Sequence, residues 1–80
     1  MKIIEVEWVD ACMEDAHINF ETARAIIPMV RKNVGYCVSE TESEVVLAYG
    51  VLENAFKGNT AFDMTFAIPR GCIRGIKELK

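Results

Sequence analysis

Ala61-Phe62-Asp63-Met64-Thr65-Phe66-Ala67-Ile68 carries the clearest pattern in this chain. Phe62, Met64, Phe66 and Ile68 share one parity, and Asp63 and Thr65 share the other. A period of two over such a run belongs to a strand with one buried face, so those four apolar residues are expected inward. Downstream, Pro69-Arg70-Gly71-Cys72 is a tight turn, and Ile73, Ile76 and Leu79 mark a short last strand over 73–79. Upstream, Asn54, Lys57, Gly58 and Asn59 give residues 52–60 the chemistry of a loop.

The same reading extends to the N-terminus. In 3–9, Ile4, Val6 and Trp8 alternate with Glu5 and Glu7, which predicts a half-buried strand with Trp8 as a core or interface anchor. Residues 10–18 are acidic and irregular. A short helix is expected from the N-cap Asn19 through Ile27, with Glu21 in its first turn and Pro28 as its stop. Ala23, Ile26 and Ile27 fall on one side of it, placed to cover the mouth of a barrel. Residues 29–39 form a second strand with Val30, Val34, Tyr36 and Val38 on one face and Gly35 at a bend or bulge. Ser39-Glu40-Thr41-Glu42-Ser43 is a polar turn. Residues 44–51 are a third strand, apolar on both faces and therefore central or at a subunit contact.

The fold class expected is mainly β: a small, strongly bent five-stranded barrel with one short helix after the first strand. Strands two to five are connected tightly, as in a meander. Curling removes most sheet edges, and any that remain can pair between subunits.

Length and composition support one domain over 1–80 and an assembly of copies. An 80-residue chain has little interior, yet 51% of its residues are hydrophobic and its mean hydropathy is +0.15. Subunit contacts would absorb that surplus, so a homo-oligomer is expected. The apolar runs are broken by Glu5, Glu7, Asp10, Arg31 and Asp63, short of a membrane span. The N-terminus lacks the uninterrupted apolar segment of a signal peptide, and a cytoplasmic location is expected. Cys12, Cys37 and Cys72 are widely spaced, and His17 is the single histidine. That pattern fits reduced thiols packed as small hydrophobes better than a zinc site, which favours paired ligands at short spacing. No cofactor is implied.

The stretches Gly35-Tyr36-Cys37-Val38, Val45-Val46-Leu47-Ala48 and Phe66-Ala67-Ile68-Pro69-Arg70-Gly71-Cys72-Ile73 together resemble the Sm-like barrels of the Sm, Lsm and Hfq proteins. In that family an Arg-Gly, or a Lys-His in Hfq, sits between the fourth strand and the last. Arg70 and Gly71 fall there, with Ile73 or Ile76 as the apolar residue that follows. The resemblance spans roughly residues 30–79. It implies a homo-oligomeric ring that binds RNA. Thr41-Glu42-Ser43-Glu44-Val45 lacks the Asp and Asn that the family carries across its second hairpin, so the barrel is implied more fully than the uridine pocket. The helix follows the first strand here, whereas the family has it before that strand. Val6-Glu7-Trp8-Val9-Asp10 and the pattern as a whole also look like small bacteriophage-encoded proteins of unknown function.

The net charge is −3 and the pI about 5.0, which excludes a uniformly basic nucleic-acid coat. The charges are nonetheless unevenly placed. Glu40, Glu42 and Glu44 crowd one turn, while Arg70, Arg74, Lys77 and Lys80 crowd the C-terminal end. Arg70, Gly71, Arg74 and Lys77, joined by Arg31 and Lys32 of the second strand, are the candidate contacts to RNA or single-stranded nucleic acid. Repeated around a ring, such cations would sum into a local positive field; ordinary solvated surface charge is the plainer reading. Tyr36, Tyr49 and Phe56 offer planes for base stacking, although strand packing accounts for the first two. His17 beside Glu14 and Asp15 fits a solvated loop histidine. The chain has no nucleophile elbow, Gly-rich phosphate loop or paired metal motif, so a binding module is expected and not an enzyme. Two other classes compete with RNA binding. One is an acidic inhibitor of a host protein acting through Glu40-Glu42-Glu44. The other is a sequestering binder of a nucleotide held between subunits.

Overall fold

The computed structural model describes residues 1–11, 17–56 and 58–80, apart from the side chains of 55 and 56. It is mainly β, as expected. Five strands, β1 (Ile3–Asp10), β2 (Met29–Glu40), β3 (Glu44–Phe56), β4 (Asn59–Pro69) and β5 (Ile73–Leu79), form one antiparallel sheet. A one-turn helix, α1 (Phe20–Arg24), precedes β2, and a 3-10 turn, Arg70–Cys72, joins β4 to β5.

The strand order is β4-β3-β2-β1-β5. The first four strands are sequential neighbours, and the last departs from the expected meander. The 3-10 turn carries the chain away from β4, and β5 pairs with β1 instead, from Ile3↔Leu79 to Trp8↔Ile73. The sheet stays open, with β4 and β5 as its two edges, where the sequence led to a small, strongly bent barrel.

The core lies where the strands are most fully flanked. Ile4, Val6, Val45, Leu47 and Ile68 are buried together, and Trp8, Cys37, Phe66 and Ile73 pack around them. The alternation of β1 therefore does what its pattern indicates, burying Ile4 and Val6 and half-burying Trp8. On β2 the core-facing parity is that of Gly35 and Cys37, since Gly35 is opposite Ile4 and Cys37 is opposite Leu47. Gly35 is there because of a close approach: a Cβ at this position would stand 2.8 Å from the carbonyl oxygen of Ala48.

That contact is where β2 and β3 part. Among the described residues, their pairing runs only over Tyr36–Glu40 and Val45–Ala48. Before Tyr36, β2 pairs with β1 alone, and beyond Ala48, β3 pairs with β4 alone. The β3–β4 ribbon from Tyr49 to Met64 thus projects as a two-stranded arm. The molecule measures 55 × 24 × 22 Å with a radius of gyration of 16.6 Å, against about 12 Å for a compact domain of this length.

The arm corrects two expectations. Residues 52–60 are mostly strand: β3 runs on to Phe56 and β4 starts at Asn59. The loop-forming residues act at single points. Asn54 takes φ 56° at a register shift between Leu52 and Phe56, and Gly58 takes φ 85° at the tip; both residue types tolerate the left-handed region. The second correction concerns Met64, expected inward with its parity. Its φ of 50° interrupts the pleat, and its side chain is 74% exposed. Phe62 and Phe66 are half-buried and Ile68 is buried, so the alternation holds toward the core end of β4.

Helix α1 is shorter than expected and buries none of its own residues. Asn19 caps it, accepting from the Thr22 amide at 2.8 Å, but it ends at Arg24 with every residue exposed. Pro28 restricts Ile27 to extended backbone, which keeps the last predicted turn from forming. Ile26 and Ile27 remain exposed.

Candidate nucleic-acid interface

The polar turn between β2 and β3 and the turn before β5 are built together. Thr41 organises the first: its hydroxyl accepts from the Ser43 and Glu44 amides at 3.1 Å each, and its own amide donates to the Glu44 carbonyl at 2.9 Å. Arg70 closes the second onto it. Its backbone amide donates to the Ser43 carbonyl at 2.9 Å and its Nε to the Thr41 carbonyl at 2.8 Å. Arg70 is therefore a structural clasp that places the 3-10 turn, and Gly71 beside it has open space where a side chain would stand.

Arg74 follows one turn later at a distinctive position. Gly75 is opposite Glu7 and Ile73 is opposite Trp8, so the register shift between Glu7 and Trp8 leaves Arg74 as the extra residue of a bulge. It is exposed and no ion pair engages it among the described residues. Lys77 and Lys80, also exposed, continue along the same edge strand and past its end. Lys77 is opposite Glu5 on β1.

Arg31 and Lys32 are held differently. Arg31 donates from Nε to Asp10 at 2.7 Å, and Lys32 is opposite Glu7. The six sequence-derived residues thus divide in two. Arg70, Gly71, Arg74 and Lys77 gather on the 3-10 turn and β5, while Arg31 and Lys32 stand on β2, across β1, beside acidic neighbours. A shallow groove between β1 and β5, lined by Glu5, Glu7, Gly75, Ile76 and Lys77, carries two carboxylates and one ammonium, so it does not favour an anion.

The acidic turn is partly neutralised. Glu40 pairs with Lys2 at 3.4 Å and accepts from the Cys37 thiol at 3.5 Å. Burial raises the Cys37 thiol above the ordinary cysteine range, and the hydrogen bond to Glu40 and its charge push the same way. Cys37 and Cys72 are free thiols.

One constellation escaped the sequence reading. Trp8 Nε1 donates to Asn33 Oδ1 at 2.7 Å, and Asn33 Nδ2 donates to the Tyr49 hydroxyl at 2.7 Å. The Tyr49 ring leans on Phe66, centroids 5.4 Å apart. Asn33 bridges β1 and β3 at the point where β2 and β3 separate. A polar residue in a strand otherwise read by its apolar parity was the available signal. Tyr49 is a member of this bridge and is still 46% exposed; Tyr36 is half-buried opposite Ile3 and Ala48. The expectations on Cys12, Glu14, Asp15, Lys57 and the Phe56 ring lie outside the described residues.

Among the described residues no helix is long and apolar enough to cross a membrane. No family model, curated protein or solved structure matches this chain.

Proposed function

We propose that this chain is a homo-oligomeric, Sm-like β-module that binds RNA or another single-stranded nucleic acid along β5. The observation that carries the reading is Arg74, bulged out of an edge strand, exposed, and engaged by no ion pair among the described residues. Arg70 at the preceding turn and Lys80 past the strand's end extend Arg74 into a row of cations for a phosphate backbone, with Lys77 between them shared with Glu5 opposite it. Trp8, opposite Ile73 on β5 and Arg31 on β2, offers a half-buried aromatic surface beside that row for stacking. The open sheet supports the oligomeric half of the reading, because its unpaired edges are completed by further copies more readily than left in water.

Anisotropy titrations with a fluorescent single-stranded RNA at low salt test this. Binding that weakens steeply with salt is expected, and Arg74→Ala with Lys77→Ala should weaken it by roughly tenfold or more by removing two phosphate contacts. Absence of binding by the parent chain, or equal binding by the double variant, contradicts the reading. Arg70→Ala is the poorer probe, because it also loosens the turn.

A further inference from the structure

The chain exposes more surface than its mass warrants. Its accessible area is 6106 Å², about 1,200 Å² above the roughly 4,900 Å² of a compact monomer of this mass. A standard specific interface takes about 800 Å² from each partner. Part of the exposed apolar surface lies along the two ribbons that diverge beyond Gly35. On the arm, Tyr49, Leu52 and Met64 are exposed; on β2, Met29, Val30 and Val34 are exposed. These segments also carry unpaired backbone. The inner edge of β3 past Ala48 and the inner edge of β2 before Tyr36 have no strand partner among the described residues. Two-stranded ribbons with apolar side chains in water are marginal structures, and open edges are templates for pairing with another chain.

We propose that the β3–β4 arm of one copy docks, head to tail, on the Met29–Val34 flank of β2 in a second copy. The occupant is another copy of this chain because each copy carries both halves. The arm presents exposed apolar residues with Glu53 and Asp63, and the β2 flank presents exposed apolar residues with Arg31, paired to Asp10, and Lys32, opposite Glu7. An arm on a flank is a heterologous contact, and repetition closes a ring or extends a filament. The proposal deepens the self-association part of the function above and is independent of its nucleic-acid part. It assigns Arg31 and Lys32 to the contact between copies, leaving Arg70, Arg74 and Lys77 to the ligand.

The test is light scattering on size-exclusion-purified protein at micromolar concentration, with two variants. The arm variant is Leu52→Asp with Met64→Asp; the flank variant is Val30→Asp with Val34→Asp. These side chains are exposed within the chain, and circular dichroism confirms that each variant folds; Leu52→Ser and Val30→Ser replace any that does not. The parent chain should run as a multiple of 9.0 kDa and each variant alone as a single chain. Mixing the two should restore a one-to-one dimer, because the arm variant keeps a good flank and the flank variant keeps a good arm. A monomeric parent chain overturns the proposal, as does an oligomer that survives both variants or a mixture that stays monomeric. RNA titration of the same samples reports separately: binding lost through Arg74→Ala and Lys77→Ala with the oligomer intact leaves this contact standing, and an intact oligomer that binds no RNA removes the nucleic-acid reading alone.

Discussion

The packed centre of the sheet and its β3–β4 arm share two strands but live in different surroundings. In the centre, Val45 and Leu47 of β3 and Ile68 of β4 are fully buried, because β1 and β2 close over them. A few residues along the same strands, Tyr49, Leu52 and Met64 are exposed, because β2 has turned away at Gly35 and no third strand replaces it among the described residues. Apolar residues continue across the boundary; what changes is the number of neighbouring strands. Apolar content in a strand therefore marks a surface that needs covering, and topology decides whether this chain or another supplies the cover.

The largest effect should come from breaking the centre. Leu47→Ala removes a fully buried side chain and should cost about 3 kcal/mol, a large part of the stability available to so small a domain. Urea titration measures it; a loss no greater than that of Leu52→Ala on the arm would erase the contrast between the two regions. An intermediate effect is expected at their junction. Asn33→Leu leaves the half-buried Trp8 N–H without its acceptor and frees Tyr49, which should cost about 1–2 kcal/mol and shift Trp8 fluorescence. Unchanged fluorescence would mean that the bridge does not join the ribbons in solution. The smallest effect has the opposite sign. Met64 holds φ 50° with an exposed side chain, so Met64→Asn should stabilise the dilute chain by about 0.5 kcal/mol, because Asn tolerates the left-handed region better. A loss of stability in the dilute chain would show that Met64 packs within its own subunit.

The same contrast explains which parts were legible in the sequence. Strand existence was written in short-range alternation: Ile4-Val6-Trp8 and Phe66-Ile68 behave as their periods indicate. Asn19 announced its cap. What could not be read was set by distant contacts. The departure of β5 to the far side of β1 rests on pairing across nearly the whole sequence, Ile3 with Leu79, and the turn that precedes it is held by Arg70 reaching the Thr41 carbonyl, a link across 29 residues. The splitting of β2 from β3 falls where Gly35 comes close to Ala48, a contact between residues distant in sequence. Asn54 and Gly58 were read as loop residues, yet each serves one residue of backbone and leaves the ribbon running. Of the candidate contacts, Arg70, Gly71, Arg74 and Lys77 were close in sequence and stay close in space. Arg31 and Lys32 were added on charge alone, and charge cannot reveal that Asp10 and Glu7 stand beside them.

Amide hydrogen exchange, followed residue by residue in dilute and in concentrated protein, tests the difference between centre and arm most directly. The central amides Val45–Ala48 should be strongly protected at both concentrations, and the arm amides Gly50–Leu52 protected only when the protein is concentrated enough to associate. Arm amides as protected in the dilute chain as those of the centre would contradict the account, because the arm would then need no second copy to hold it.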